Sequence, residues 1–298
     1  MSRTGRRAET ISIFLIVSSL AMAAILLIVA NSSSIPGADP VLVSPGNVAV
    51  SAPVLSESDA ETVAPVCDPL PDPPEDIFIP PQSDTTTLPP GRYAYLTFDD
   101  GPCSTTGDIL DILDQYGVKA TFFVVGTSSH KEYYKEIVDR GHTIGLHAND
   151  HTYRKVYASE AAYFFDLGTL QNTVEEYTGV RSIIVRFPGG SSNTVSNRYC
   201  KGLMKKLIVE VPAAGFVYHD WNVDSRDAED INVPSQQLIN NIWSDMQGKD
   251  VIDVLMHDAE THATTVEALP QIIQMLLDSG YTLLPITNGT EPIQHHVK

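Results

Sequence analysis

Residues 93–125, YAYLTFDDGPCSTTGDILDILDQYGVKATFFVV, decide the fold class. Two runs of apolar, aromatic and β-branched residues, 93–98 and 120–125, flank a segment of helical periodicity at 106–116, and Gly117 follows it where a C-terminal cap belongs. Strand, helix and strand in that order form a βαβ unit. The pattern then repeats, with strands predicted at 143–146, 183–186, 215–218, 251–256 and 282–284 and helices at 131–140, 159–178, 196–206, 234–246 and 265–279. Gly141, Gly179 and Gly280 again stand just past helix ends. About seven rounds of this alternation imply parallel strands with right-handed crossovers, either closed into a barrel or wound as an open sheet. Periodicity does not choose between them, but position does. Asp99, Asp100, His147, Arg186, Asp220 and His257 all fall at or just past the C-terminal ends of predicted strands. Polar groups delivered by five strands to one end match the catalytic face of a barrel of about seven parallel strands.

Outward from this region the composition changes sharply. Residues 1–10 carry Arg3, Arg6 and Arg7 against Glu9, and residues 11–30, ISIFLIVSSLAMAAILLIVA, run without a charge. As a helix that stretch is roughly 30 Å long, about the thickness of a bilayer's hydrocarbon core. A cytoplasmic basic segment, a transmembrane signal anchor and an extracytoplasmic remainder are therefore expected. Cleavage after the small-x-small sequence Ala21-Met22-Ala23, giving a secreted protein, is the competing reading. Residues 31–90 hold 13 of the chain's 20 prolines and nine acids with no Lys or Arg, the signature of an extended linker whose use is reach.

With +2 on residues 1–10 and −9 on 31–90, residues 91–298 retain −11 of the chain's net −18. An acidic surface repels phosphates, so nucleic acid is excluded as a partner, and no protein partner is evident. About 200 residues suit one catalytic domain. Cys67, Cys103 and Cys200 are odd in number, without CxxC spacing; a Cys103–Cys200 disulfide and buried thiols are both compatible with that.

Five segments carry chemistry. Thr97-Phe98-Asp99-Asp100-Gly101-Pro102 sets two carboxylates side by side, which repel unless a cation or an arginine offsets them. His147-Ala148-Asn149-Asp150-His151 sets two histidines four apart, expected to meet on one face of a helical turn; with a carboxylate from elsewhere they make a three-ligand metal site with a position left open for water. Arg186-Phe187-Pro188-Gly189-Gly190-Ser191 places a cation beside backbone N–H groups free to face a ligand. Asp220-Trp221-Asn222-Val223-Asp224-Ser225 puts acids around a tryptophan, and Val254-Leu255-Met256-His257-Asp258 ends an apolar strand on a histidine. A lone histidine there is ordinarily a hydrogen-bonded rim residue; its meaning comes from the other four segments.

In this order the five segments resemble the polysaccharide deacetylase family of carbohydrate esterases, the chitooligosaccharide deacetylase homology domain, over residues 92–288. The resemblance implies a distorted (β/α) barrel, TIM-like, and a divalent metal, usually zinc, with cobalt, nickel or manganese serving in some members. It implies hydrolysis of N-acetyl groups on N-acetylglucosamine units of a polysaccharide such as peptidoglycan or a chitin-like glycan, or of O-acetyl groups in some branches. It assigns Asp100, His147 and His151 to the metal, Asp99 as general base and His257 as general acid. Arg186 holds Asp99, Asp224 orients His257, Trp221 and Leu255 line the acetyl pocket, and the Gly189 N–H contacts the oxyanion. Two positions depart from the family: Ala148 replaces a Ser or Thr that braces the histidine loop, and Gly189 replaces a tyrosine of many members, a change in groove shape since the contact is through the backbone. The other readings compatible with the same residues are an O-acetyl esterase of the xylan type and a non-catalytic glycan-binding wall protein. No Gly-x-Ser-x-Gly elbow supplies a serine nucleophile.

Overall fold

The computed structural model describes residues 88–297. The expected basic segment 1–10, the anchor 11–30, nearly all of the linker and Cys67 lie outside the described residues. Among the described residues no helix is long and apolar enough to cross a membrane.

In chain order the elements are β1 (Arg92–Asp99), α1 (Thr106–Gln115), β2 (Thr121–Val125), α2 (Glu132–Asp139), β3 (Thr143–Ala148), α3 (Tyr153–Val156) and α4 (Glu160–Thr178). There follow β4 (Ile184–Val185), α5 (Leu203–Ala213), β5 (Val217–Tyr218), β6 (Val223–Asp224), α6 (Ser235–Asp245), β7 (Val251–His257), α7 (Ala263–Asp278) and β8 (Tyr281–Leu283). Every strand pairing is parallel, in the order β5-β4-β3-β2-β1-β7-β6 with β8 also on β1. One edge of β1 is shared: Arg92–Ala94 pair with β8, and Thr97–Asp99 pair with β2. Its other edge pairs along its length with β7, from Tyr93 opposite Val251 to Asp99 opposite His257.

The period-2 alternation of strand side chains sorts the core into two layers. Leu96, Phe98, Phe122 and Val124 point outward and pack with helix residues such as Ile109, Leu113 and Leu269 in the main cluster. Tyr95, Phe123, Ile184 and Ile286 form a small separate cluster on the inner face, a plug below the polar end. Gly145 makes room for it, since a Cβ there would stand 2.6 Å from Cδ1 of Phe123.

The two ends of the strand path are one piece of chain. β5 pairs with β4 and β6 with β7, yet only four residues separate them, and His219 N–H donates to Val185 O (2.9 Å) while Asn222 N–H donates to Asp253 O (3.2 Å). A single kinked run thus leaves one neighbour, joins another and closes the barrel. The expectation of about seven strands missed β6, which is only two residues long. The helix expected at 196–206 is also corrected. A short 3₁₀ turn (Val195–Arg198) ends before Gly202, whose φ of +77° breaks the helical path, and α5 begins after it. Cys103 is a free buried thiol that donates to Asp258 Oδ1 (3.2 Å), so no Cys103–Cys200 disulfide forms.

Candidate active site

β1 ends on the Asp99–Asp100 pair. Asp99 is inward and buried, whereas Asp100 takes a left-handed φ of +73° that turns its carboxylate to the rim. Gly101 then passes against Asp258, which leaves no room for a Cβ; Asp258 is itself held by Thr106 Oγ1 (2.6 Å).

His147 belongs to β3 and His151 to the turn before α3, so the pair does not share a helical turn as expected; the chain folds back and stacks the rings 5.0 Å apart. Their Nε2 atoms are 3.2 Å apart, and each is 3.4 Å from Asp100 Oδ1. The ligand atoms of all three residues lie within 4.8 Å of one another. Asp100 Oδ1 is buried without a hydrogen-bond partner among the described residues. His147 is pushed down to about 3 by burial, so it is neutral, and its Nδ1–H donates to Arg186 O (2.8 Å), leaving the Nε2 lone pair aimed at Asp100. Two imidazole nitrogens and an unpartnered carboxylate oxygen fit a divalent cation. Ala148 offers no hydroxyl to the loop, but Asp166 of α4 accepts from the N–H groups of Asn149 (2.6 Å) and Asp150 (2.9 Å) and braces it.

Arg186 is fully buried and spends every nitrogen. Nη1 donates to Asp99 Oδ1 (3.0 Å) and Thr97 Oγ1 (2.6 Å), and Nη2 to Asp253 Oδ1 (2.9 Å) and Asp220 O (3.0 Å). Nε donates to His219 O (3.1 Å), so the guanidinium caps two carbonyls exposed by the β5–β6 kink. Its face rests 4.2 Å from the centroid of Phe123, the ring for which Gly145 makes room. Burial pushes the Asp99 carboxyl up, against the pull of Arg186, and burial pushes Asp253 up to about 6.

His257 ends β7 opposite Asp99. Burial alone would lower its pKa, but the hydrogen bond and charge of Asp227 outweigh this and raise it to about 9. Its Nδ1–H donates to Asp227 Oδ1 (2.7 Å), and Asp227 Oδ2 accepts from His257 N–H (2.8 Å) and Thr265 Oγ1 (2.7 Å). This corrects the assignment of Asp224, whose carboxylate instead accepts from Arg226 N–H (2.8 Å). The chain turns at Arg226, φ +59°, and that turn brings the next residue, Asp227, over His257.

Leu255 is buried on β7 and lies in register with Thr97, one alternation below His257. Trp221 lies with its ring 5.8 Å from the Arg186 guanidinium and edge-on to His295 (4.8 Å). Asp220 accepts from Ser191 N–H (2.7 Å), Ser191 Oγ (2.5 Å) and His295 N–H (2.8 Å), clamping the Gly189–Gly190 turn to the C-terminal segment. Gly189, φ +74°, donates its N–H to no described residue. Asp227, Asp253, Thr97 and Asp166 escaped the sequence reading. Asp253 carried a signal, an acid in the middle of the apolar strand VIDVLMH.

Residues 87–207 match the family model described as polysaccharide deacetylase. A peptidoglycan-N-acetylglucosamine deacetylase of Bacillus cereus is 31% identical over 198 residues, 64% of this chain and 67% of that protein. The chain belongs to the polysaccharide deacetylase family. It is accordingly a hydrolase of non-peptide amide bonds. The solved catalytic domain of a peptidoglycan N-acetylglucosamine deacetylase from Eubacterium rectale ATCC 33656 is 42% identical to this deacetylase, with a TM-score of 0.69 over 73% of this chain and 98% of that one. A bifunctional xylanase/deacetylase of Pseudobutyrivibrio xylanivorans is 30% identical over 64% of this chain but only 29% of its own length.

Proposed function

We propose that this deacetylase removes acetyl groups from N-acetylglucosamine residues of peptidoglycan or a chitin-like glycan by metal-assisted hydrolysis, outside the cell membrane. One juxtaposition carries the reading: a metal-ligating trio with an unpartnered buried carboxylate oxygen stands beside Asp99, and a histidine that Asp227 holds protonated against the effect of burial stands opposite it. An amide is a poor electrophile with a poor leaving group. Its hydrolysis needs a base for water, a donor for the oxyanion and a proton for the departing nitrogen.

Asp100, His147 and His151 would hold the ion, which when bound lowers the pKa of a water towards about 7 and polarises the acyl carbonyl. Asp99 accepts the water's proton; Arg186 fixes the orientation of that carboxylate, and Thr97 accepts from the same guanidinium nitrogen. The free Gly189 N–H donates to the developing oxyanion, a contact typically worth about 3–4 kcal/mol. His257 carries its proton on Nε2, because Nδ1 is committed to Asp227, and gives it to the amine. The names of the relatives support N-acetylglucosamine as the substrate unit. The charge-free stretch 11–30 and the acidic linker support an anchored domain that meets the cell wall first.

Acetate release by the purified protein, on N-acetylglucosamine oligomers and peptidoglycan, tests this. EDTA should abolish it, zinc restore it, and Asp99→Asn lower it about 10²–10⁴-fold with metal content unchanged. Acetate from acetylxylan alone would select the O-acetyl reading, and glycan binding indifferent to chelation with no turnover would select a binding protein.

A further inference from the structure

Tyr153 lies two residues past His151, at the start of α3, and the mechanism above does not use it. Its ring meets His151 edge-on (5.5 Å between centroids) and stacks on Tyr157 (5.8 Å). Tyr157 is buried and donates from Oη to Pro188 O (2.8 Å), so the stack is pinned to the turn that bears the Gly189 N–H. The Tyr153 hydroxyl then lies 2.9 Å from the point where a Cβ on Gly189 would stand. Gly189 is therefore doubly constrained, by a φ of +74° and by the phenol that occupies its side-chain space. The ring is only partly buried, and the hydroxyl bonds to no described residue; in the same turn Pro188 O accepts from Tyr157 and the Asn193 amide donates to Gly190 O. A rigidly held phenol with a free proton, set between a metal-binding trio and an oxyanion donor, is placed to meet what binds there. An N-acetylated sugar whose acyl group meets Gly189 N–H would bring its ring hydroxyls towards the same space.

We propose that the Tyr153 hydroxyl contacts the substrate, donating a hydrogen bond to a ring hydroxyl of the sugar unit whose acetyl group is being removed. This rests on the glycan deacetylase reading. Tyr153→Phe keeps the ring, both aromatic contacts and the fold, and removes the donor alone. On N-acetylglucosamine oligomers kcat/KM should fall about tenfold, chiefly through KM, the loss expected for one hydrogen bond made in ground and transition states alike. In an Asp99→Asn background, oligomer Kd measured by titration calorimetry should rise by the same factor when Tyr153→Phe is added. Hydrolysis of 4-nitrophenyl acetate, which has no sugar, should stay within about twofold, and zinc content should not change. Equal losses on oligomer and aryl ester would overturn the proposal, because the hydroxyl would then serve the acyl group or the trio. Unchanged KM and Kd for the oligomers would overturn it as well. A wild-type protein that releases no acetate from oligomers would instead remove the functional reading, an outcome distinct from an active wild type matched by its Tyr153→Phe variant.

Discussion

Two polar clusters sit a few ångströms apart at the same end of the barrel, and they are built on opposite principles. Around Arg186 every donor is taken: five hydrogen bonds tie Asp99, Asp253, Thr97 and two kink carbonyls to one buried guanidinium. Around Asp100 three ligand atoms face one another, and the carboxylate oxygen between them accepts no hydrogen bond from the described residues. Burying polar groups without partners is costly, so the first cluster is the arrangement a fold reaches for its own stability. The second is the arrangement a fold tolerates for a ligand. Saturation of the donors, although Asp253 Oδ2 stays unpartnered among the described residues beside Arg186, and convergence of three ligand atoms with no donor among them therefore separate a scaffold from a binding site within one active centre.

Removing the centre of the saturated cluster should hurt most. Arg186→Ala strands Asp99 and Asp253 without their countercharge, and loss of one member of a buried ion pair costs about 3–5 kcal/mol. Urea unfolding measures it, and a loss below about 1 kcal/mol would erase the distinction drawn above. Asp227→Asn should act next, on protonation more than on folding. His257 is raised to about 9 while its partner is charged, so the basic limb of the kcat profile should fall from near pH 9 towards the ordinary histidine value of about 6.5, with kcat at pH 8 down at least about tenfold. The sign for stability follows: the pair's contribution is full below about 6.5 and fades as pH rises through 9, so the wild type should lose its advantage over the variant in alkaline urea titrations. A basic limb left in place would mean that another group supplies the proton. The smallest effect on folding belongs to the unsaturated cluster. In EDTA, His151→Ala should change unfolding free energy by less than about 1 kcal/mol. The stabilisation that zinc confers on the wild type, about 2.7 kcal/mol at a hundredfold excess over Kd, should vanish in that variant. A large metal-free loss in His151→Ala would make the trio structural.

The same contrast governs what the sequence discloses. Asp99, Asp100, His147, Arg186 and His257 were legible because each stands at or just past a strand end in a short run whose residue types imply chemistry; the spacing from His147 added His151, and the resemblance to the deacetylase family added Gly189. The barrel was legible from alternation and from those strand ends. Asp227 was not, since Asp224 and Asp227 share one acidic stretch, and the choice between them is made by a left-handed turn at Arg226 that no pattern announces. β6 was hidden because two residues carry no periodicity, and the seam it makes depends on partners about thirty residues away in β7. His147 and His151 had the right spacing for the wrong reason: four residues bring them together through a turn braced by Asp166, which lies a further 15 residues on in α4.

The pairing of β1 bears on how such a chain is made. The first strand to be synthesised finds its longest partner in β7 and a further one in β8, the last two strands of the domain. Asp100, His147 and His151 are all translated within the first half of the domain, whereas Asp253, Asp227 and His257 arrive near its end. A nascent chain therefore carries the trio proposed to hold the metal before it carries the proposed proton donor or the second countercharge of its arginine, and any protein cut short before Asp253 lacks the last two. On the proposed mechanism truncated products have no route to turnover, so the order of translation itself withholds hydrolysis until the barrel is whole.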